Sequence, residues 1–318
     1  MFKNKKIQEK MIYCFVSVFF WGMLAHGYAL FQNSFSHDSL RRFFADNVEE
    51  EFVISLGRIF QPVYRAFIRG QITVPWLIGV LSIFWCGLLI YVIVNFFEIE
   101  SKITIFFMSG IMMASYTAMA WCATYIFLLD TIFFGVLSAA ISAYLWRKTK
   151  NGFIWGIPFV VIALGIYQSN ISIVITMIML VSFVDLLKGN SHWDIIKKGG
   201  YAIIMLISGG VIYGVTLKII WSVMSISPED GYNGLTNMYS IGESLLLRIK
   251  QTYMGVFFAL LNPVSIWPKF LLIGIIFALG IVTFILIIRL MKRNKNKLEK
   301  QVLIHPPPKG GGLLRTTC

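Results

Sequence analysis

Residues 32–73 read QNSFSHDSLRRFFADNVEEEFVISLGRIFQPVYRAFIRGQIT, a polar stretch between two long apolar runs. It carries five of the chain's 15 acids and five of its 28 lysines and arginines. The run before it, 11–31, and the run after it, 74–97, are each long and apolar enough to cross a bilayer as a helix. A hydrated segment held between two such runs is a loop at one membrane face, and the rest of the chain follows from that reading.

The composition agrees. Hydrophobic residues make up 57% of the chain and charged residues 14%, with mean hydropathy +0.74. Soluble domains carry roughly 25% charged residues. The missing charge implies an all-α polytopic membrane protein, because a helix satisfies its own backbone in lipid. Further apolar runs at 103–120, 124–145, 153–167, 171–187, 201–224 and 270–290 bring the expected total to about eight spans. Residues 1–304 read as one membrane domain. A second polar segment covers 225–269; within it 241–261 is amphipathic and then apolar, before Asn262-Pro263 and Trp267-Pro268 interrupt it. That stretch reads as interfacial or re-entrant. The tail 305–318, HPPPKGGGLLRTTC, builds no span and reads either as a disordered cytoplasmic tail or as a non-native, truncated end.

Charge supplies the orientation. The net charge of +13 would suggest nucleic acid in a soluble protein, but no nucleic-acid motif is present, and basic residues gather on cytoplasmic loops in any case. With the N-terminus inside and eight alternating spans, 19 of 28 lysines and arginines fall on inner segments and both long polar segments fall outside. The N-terminus lacks a small-residue cleavage site and reads as a retained first span. Cys14, Cys86 and Cys122 lie in apolar runs and Cys318 ends the chain, so no disulfide framework is implied.

Several residues offer chemistry. Asp38 follows the first span in Ser-His-Asp-Ser; it is a general-base candidate at the membrane surface, or an N-cap for a helix beginning at Ser39. His37 beside it either tunes that acid or is simply solvated. Asp46 and Glu49–Glu51 read as a solvated face. Arg58, Arg65 and Arg69 approach the second span, and Arg41 and Arg42 follow Asp38. A guanidinium suits phosphate oxygens, and ion pairing with the loop's own acids is the plainer alternative. Asp130 is an acid inside the outer half of a span, which is either functional or hydrated at shallow depth. Tyr167, Gln168, Ser169 and Asn170 form an outer turn whose neutral hydrogen-bonding groups suit a sugar, or only the turn itself. Walker A, GxGxxG, HExxH, Cys/His metal spacing and Asp-x-Asp are all absent, which disfavours a cytoplasmic nucleotide-sugar enzyme. No internal repeat supports a secondary transporter.

Taken together, the acid after the first span, SLGR-IFQP in the same loop, PWLIGVLS opening the second span and GIYQSN at a later turn resemble the bacterial Gtr-type membrane glucosyltransferases over about residues 10–290. These belong to the polytopic lipid-donor glycosyltransferases known as GT-C. The resemblance implies transfer of glucose from a polyprenyl-phosphate donor to a surface glycan such as O antigen, at the outer face of the bacterial inner membrane. It implies dependence on a separate donor synthase and a flippase. By matched position, Asp38 is the base, Arg58 a donor-phosphate residue and Gln168 a donor or acceptor contact; Arg65 joins Arg58 as a second phosphate candidate on our own reading of the loop. His37, Asp130 and Tyr167 complete the expected sugar- and acceptor-binding set. No cofactor is encoded by a motif, and a divalent cation is left open. The alternatives are a lipid or glycan flippase, whose acids should sit at mid-membrane, and a structural subunit, in which Asp38, Arg58 and Gln168 would lie far apart.

Overall fold

A computed structural model of the chain describes residues 2–32, 48–70, 72–229, isolated positions between 246 and 258, and 269–304. Among these residues every regular element is helical. In chain order they are α1 (Phe2–Phe31), α2 (Val48–Ser55), α3 (Phe60–Ile68), α4 (Pro75–Phe96), α5 (Lys102–Met113), α6 (Tyr116–Thr124), α7 (Leu129–Lys148), α8 (Gly152–Ile166), α9 (Ile171–Leu187), α10 (His192–Met224) and α11 (Lys269–Ile304). Short 3-10 turns, Ile126–Leu128 and Gln168–Asn170, lead into α7 and α9.

Each of the eight expected apolar runs is helical, but fewer have the length of a span. Five helices do: Lys5–Phe31, Pro75–Phe96, Ile126–Lys148, Gln168–Leu187 and His192–Met224. A sixth is added if α5 and α6, bent by 43° at their joint, count as one. Gly152–Ile166 and Ile273–Arg289 are shorter apolar helices. The chain is thus a multi-pass helical membrane protein.

The bend in the third expected span has a local cause. Ser115 is extended, and its hydroxyl caps the new helix by accepting from the Ala118 amide at 3.2 Å. The break frees backbone groups at membrane depth, where no solvent can satisfy them. Buried His26 of α1 lies 2.7 Å from the Met113 carbonyl through Nε2, so that nitrogen carries the proton. A second departure is α10, which begins at His192, ahead of the expected apolar run 201–224.

The chain forms two compact units, Met1–Val181 with Lys197–Tyr239, and Ser182–Ile196 with Ser240–Cys318. In the first, α1 packs on α4 and α5, α4 packs on α7, and α7 packs on α8. The helices meet through small residues, as helices in lipid must when water supplies no drive for their association. A Cβ built at Gly79 would lie 2.6 Å from Leu30, and one at Gly110 would lie 2.8 Å from Trp21. Outward faces are apolar, as Phe19, Leu24 and Tyr28 of α1 and Ile203, Ile207 and Val211 of α10 show.

The basic residues collect at one end of this unit. Lys6 and Lys10 of α1 pair with Glu100 in the α4–α5 connection at 3.3 and 3.2 Å, and these bonds hold the Glu100 carboxyl below its usual range. Lys148 bonds Glu98, and Arg147 lies over the Phe96 ring. The helices α2 and α3 belong to the other end.

Candidate active site

The SLGR sequence is a turn between α2 and α3. Its handedness needs a glycine: Gly57 has φ +79°, where a side chain is strained. The turn leaves a row of carbonyls to be satisfied, and each finds a donor. Phe52 oxygen accepts from the Leu56 amide, Val53 from Arg58, and Ile54 from Gly57. Ile54 oxygen also accepts from Trp221 Nε1 of α10 at 2.8 Å, and Ser55 oxygen from the Glu229 amide at 3.3 Å. Leu56 oxygen accepts from Gln168 Nε2 at 2.8 Å, and Gly57 oxygen from the Tyr213 hydroxyl of α10 at 2.8 Å. Arg58 oxygen closes the turn on the Gln61 amide at 3.1 Å. The row is complete, as buried backbone requires.

Two expected contacts are therefore brought together. Gln168 reaches the SLGR turn and also donates to the Tyr213 hydroxyl at 3.1 Å. A backbone carbonyl can only accept, so the Leu56 contact fixes which end of the Gln168 amide is nitrogen. The neighbouring Tyr167, 38% exposed, lies under Arg58, whose guanidinium carbon is 4.6 Å from the ring centroid. This is a cation–π distance. Burial lowers the Arg58 pKa, and the nearby Tyr167, Tyr125 and Tyr213 oppose that. Arg58 Nε is buried and has no hydrogen-bond partner among the described residues.

The helix after the turn is inverted in polarity. On α3, Gln61, Tyr64 and Arg65 face inward, while Val63, Phe67 and Ile68 are exposed. Pro62 sits in the first turn, where its missing amide costs nothing. An amphipathic helix with apolar residues outward suits the headgroup region. Close approach fixes it to the core: a Cβ built at Gly165 of α8 would lie 2.1 Å from the Phe60 ring. Gln61, fully buried, donates to the Ile166 carbonyl at 2.9 Å. Arg65 is buried and 3.6 Å from Glu50 of α2.

At the end of α3 lies a buried ion pair. Arg69 Nε donates to Asp130 Oδ2 at 2.8 Å, and its Nη2 to the Phe127 carbonyl at 2.7 Å. Its Nη1 bonds the Ile72 carbonyl. Asp130 is 0% exposed and sits in the first turn of α7, where the helix dipole favours a carboxylate. Thr131 Oγ1 lies 3.4 Å from Asp130 Oδ1. Trp85 Nε1 of α4 donates to the Tyr64 hydroxyl at 2.7 Å, and the Asp130 charge is felt at that hydroxyl. Burial, and then the Asp130 charge, push the Tyr64 pKa up. Tyr64, Trp85 and Phe134 pack ring on ring around this group.

Of the expected site residues, Arg58, Tyr167 and Gln168 meet at one place. Arg65 faces Glu50, and Asp130 is committed to Arg69. Asp38 and His37 lie outside the described residues, as do Arg41, Arg42 and Asp46. Tyr213, Trp221 and Gln61 were missed from sequence. The first two stand in an apolar run with no motif around them, and only Gln61, inside IFQP, carried a signal. Among the described residues no group of three or more His, Cys, Asp or Glu gathers in a metal-holding arrangement.

Comparison with known proteins adds to this geometry. Neither the curated proteins nor the solved structures contain a match to the chain. A family model described as Glucosyl transferase GtrII matches residues 27–305, which takes in the end of α1, the SLGR turn, the YQSN turn and α10. The chain belongs to the GtrII glucosyl transferase family, and glycosyl transfer is the chemistry that this membership supports.

Proposed function

We propose that this enzyme moves glucose from a polyprenyl-phosphate carrier to a cell-surface glycan such as O antigen. The reaction takes place at the outer face of the bacterial cytoplasmic membrane, and the N-terminus is inside. The acceptor hydroxyl oxygen attacks the anomeric carbon of the glucosyl group. The bond from that carbon to the phosphate oxygen breaks, its electron pair leaves with polyprenyl phosphate, and the hydroxyl proton passes to the Asp38 carboxylate. No nucleotide takes part at this face. A separate synthase makes the donor, and a flippase presents it.

The observation that carries this reading is Arg58. A partly buried guanidinium with a free Nε, stacked on an exposed tyrosine beside a glutamine, suits a phosphate joined to a sugar. Charge growing on the leaving phosphate is stabilised most by a cation already in place. Arg65 is a second cation on the adjacent helix. Gln168 spends its amide nitrogen on the turn, so its amide oxygen is the group left to accept from a sugar hydroxyl. The exposed apolar residues of α3 suit a site that takes its donor from the lipid side. Asp130 enters as the acid that holds Arg69 rather than as a sugar contact, so the acid nearest to mid-membrane is taken up by an ion pair, which disfavours the flippase alternative.

The test uses membranes containing the full chain, supplied with polyprenyl-phosphate glucose and acceptor glycan. Asp38→Asn is expected to abolish transfer. Arg58→Ala is expected to raise the donor KM by about tenfold or more, the loss of a charge-assisted contact. Retained turnover in Asp38→Asn reassigns the base, and an unchanged donor KM in Arg58→Ala removes the phosphate assignment.

A further inference from the structure

We infer that Tyr213 is a positioning residue for Arg58, acting from α10 on the donor-phosphate site. The inference rests on the reading of Arg58 given above.

The turn that presents Arg58 is short, passes through a glycine in the left-handed region, and pairs its Leu56, Gly57 and Arg58 amides on its own backbone. Its last two carbonyls before Arg58, Leu56 and Gly57, make no backbone hydrogen bond among those described. Both are taken up by one two-residue clamp. The Tyr213 hydroxyl donates to Gly57 oxygen and accepts from Gln168 Nε2, and Gln168 Nε2 donates to Leu56 oxygen. The hydroxyl therefore uses its single proton and one lone pair. Remove it and the Gly57 carbonyl and one arm of Gln168 lose their partners together.

The clamp also fixes what lies under the guanidinium. Gln168 adjoins Tyr167, the ring on which Arg58 stacks. One hydroxyl thus ties the peptide that precedes Arg58 to the peptide that carries its platform. A cation pre-set towards the leaving phosphate needs this rigidity, because a guanidinium that must reorganise loses the advantage it supplies. Tyr213 itself is buried at 8% exposure, so its part is to aim Arg58 and not to bind. Eight residues on, Trp221 holds Ile54 oxygen from the same helix. Eight residues is about 12 Å of helix, so α10 grips the end of α2 as well as the turn.

The experiment uses the full chain in nanodiscs and polyprenyl-phosphate glucose as the probe. Tyr213→Phe keeps the ring and removes only the hydroxyl. The expected result is a donor KM raised about tenfold with acceptor KM unchanged, beside a modest fall in thermal midpoint from the unpaired Gly57 carbonyl. The donor affinity of Arg58→Ala should fall no further when Tyr213→Phe is added, because a residue acting through another shows no effect once that other is gone. If Tyr213→Phe does not fold, Tyr213→Met, which also removes the hydroxyl, should give the same non-additivity with Arg58→Ala. Additive losses in the double variants, or a fall in stability without a change in donor KM, overturn the inference. If Arg58→Ala leaves donor binding intact, the phosphate reading itself has failed and the inference falls with it. If Arg58→Ala weakens binding while the Tyr213 variants do not, only the inference falls.

Discussion

Asp130 and Arg69 show how a residue's meaning changes with its neighbour. Either one alone in the sequence is a functional candidate, an acid in a span and a cation near a membrane surface. Together they are a closed unit, exposed at 0% and 1% in their side chains, and bonded on to Phe127 and Ile72. Breaking such a pair leaves one bare charge in a dry site, which costs about 3–5 kcal/mol. Asp130→Asn is therefore expected to lower thermal stability in detergent sharply, with Arg69→Met doing the same. The double variant Asp130→Asn/Arg69→Met should lose less than the two single losses combined. Strict additivity of the three midpoints would show that the pair has no energetic coupling. Arg58 is the opposite case. It is desolvated but not closed off by an acid, and that difference is what recommends it as a ligand group.

At the scale of elements, two irregularities matter more than the regular helices. One is the α5–α6 joint. A capped break inside a span is tolerated because a neighbour satisfies the freed backbone, here His26 on the Met113 carbonyl. His26→Leu fits the apolar surroundings but leaves that carbonyl buried and unpaired, at about 1–3 kcal/mol. We expect a lower unfolding midpoint for His26→Leu and near wild-type behaviour for His26→Gln, which keeps a donor. Equal midpoints for all three proteins would show that the joint holds itself. The other irregularity is the SLGR turn, whose carbonyls are met from α10 and from the α8–α9 turn. That dependence explains why α10 matters to the site although much of its face is exposed apolar surface.

For the whole molecule, the two ends of the first unit differ in kind. One end carries Lys6, Lys10, Arg147 and Lys148 paired with glutamates or resting on an aromatic ring. The other carries the SLGR and YQSN turns. In the proposed orientation, which follows the positive-inside rule, the first end is the cytoplasmic one. Cys14, Cys86 and Cys122 are buried, so introduced cysteines report cleanly in a Cys318→Ser background. An impermeant maleimide should label Ser227→Cys, after α10, in intact cells. It should label Lys150→Cys, between α7 and α8, only once the membrane is opened. The reverse pattern would put the proposed site in the cytosol and end the lipid-donor mechanism.

Membrane residence and helical class were legible in the sequence, because lipid leaves a one-dimensional record. Apolar runs of span length and the bias of lysine and arginine need no partner to be read. SLGR and YQS were legible as motifs for the same local reason. The count of span-length helices was less so, since where a helix breaks or continues is decided by caps and neighbours such as Ser115 and His26. Which polar groups meet was not legible at all. That Gln168 holds the turn of Arg58, that Tyr213 joins them across 45 positions, and that Asp130 belongs to Arg69 are facts of packing. Each depends on a buried donor finding an acceptor from a distant part of the chain. Only the folded arrangement, in which every buried polar group must find a partner at once, selects those pairs.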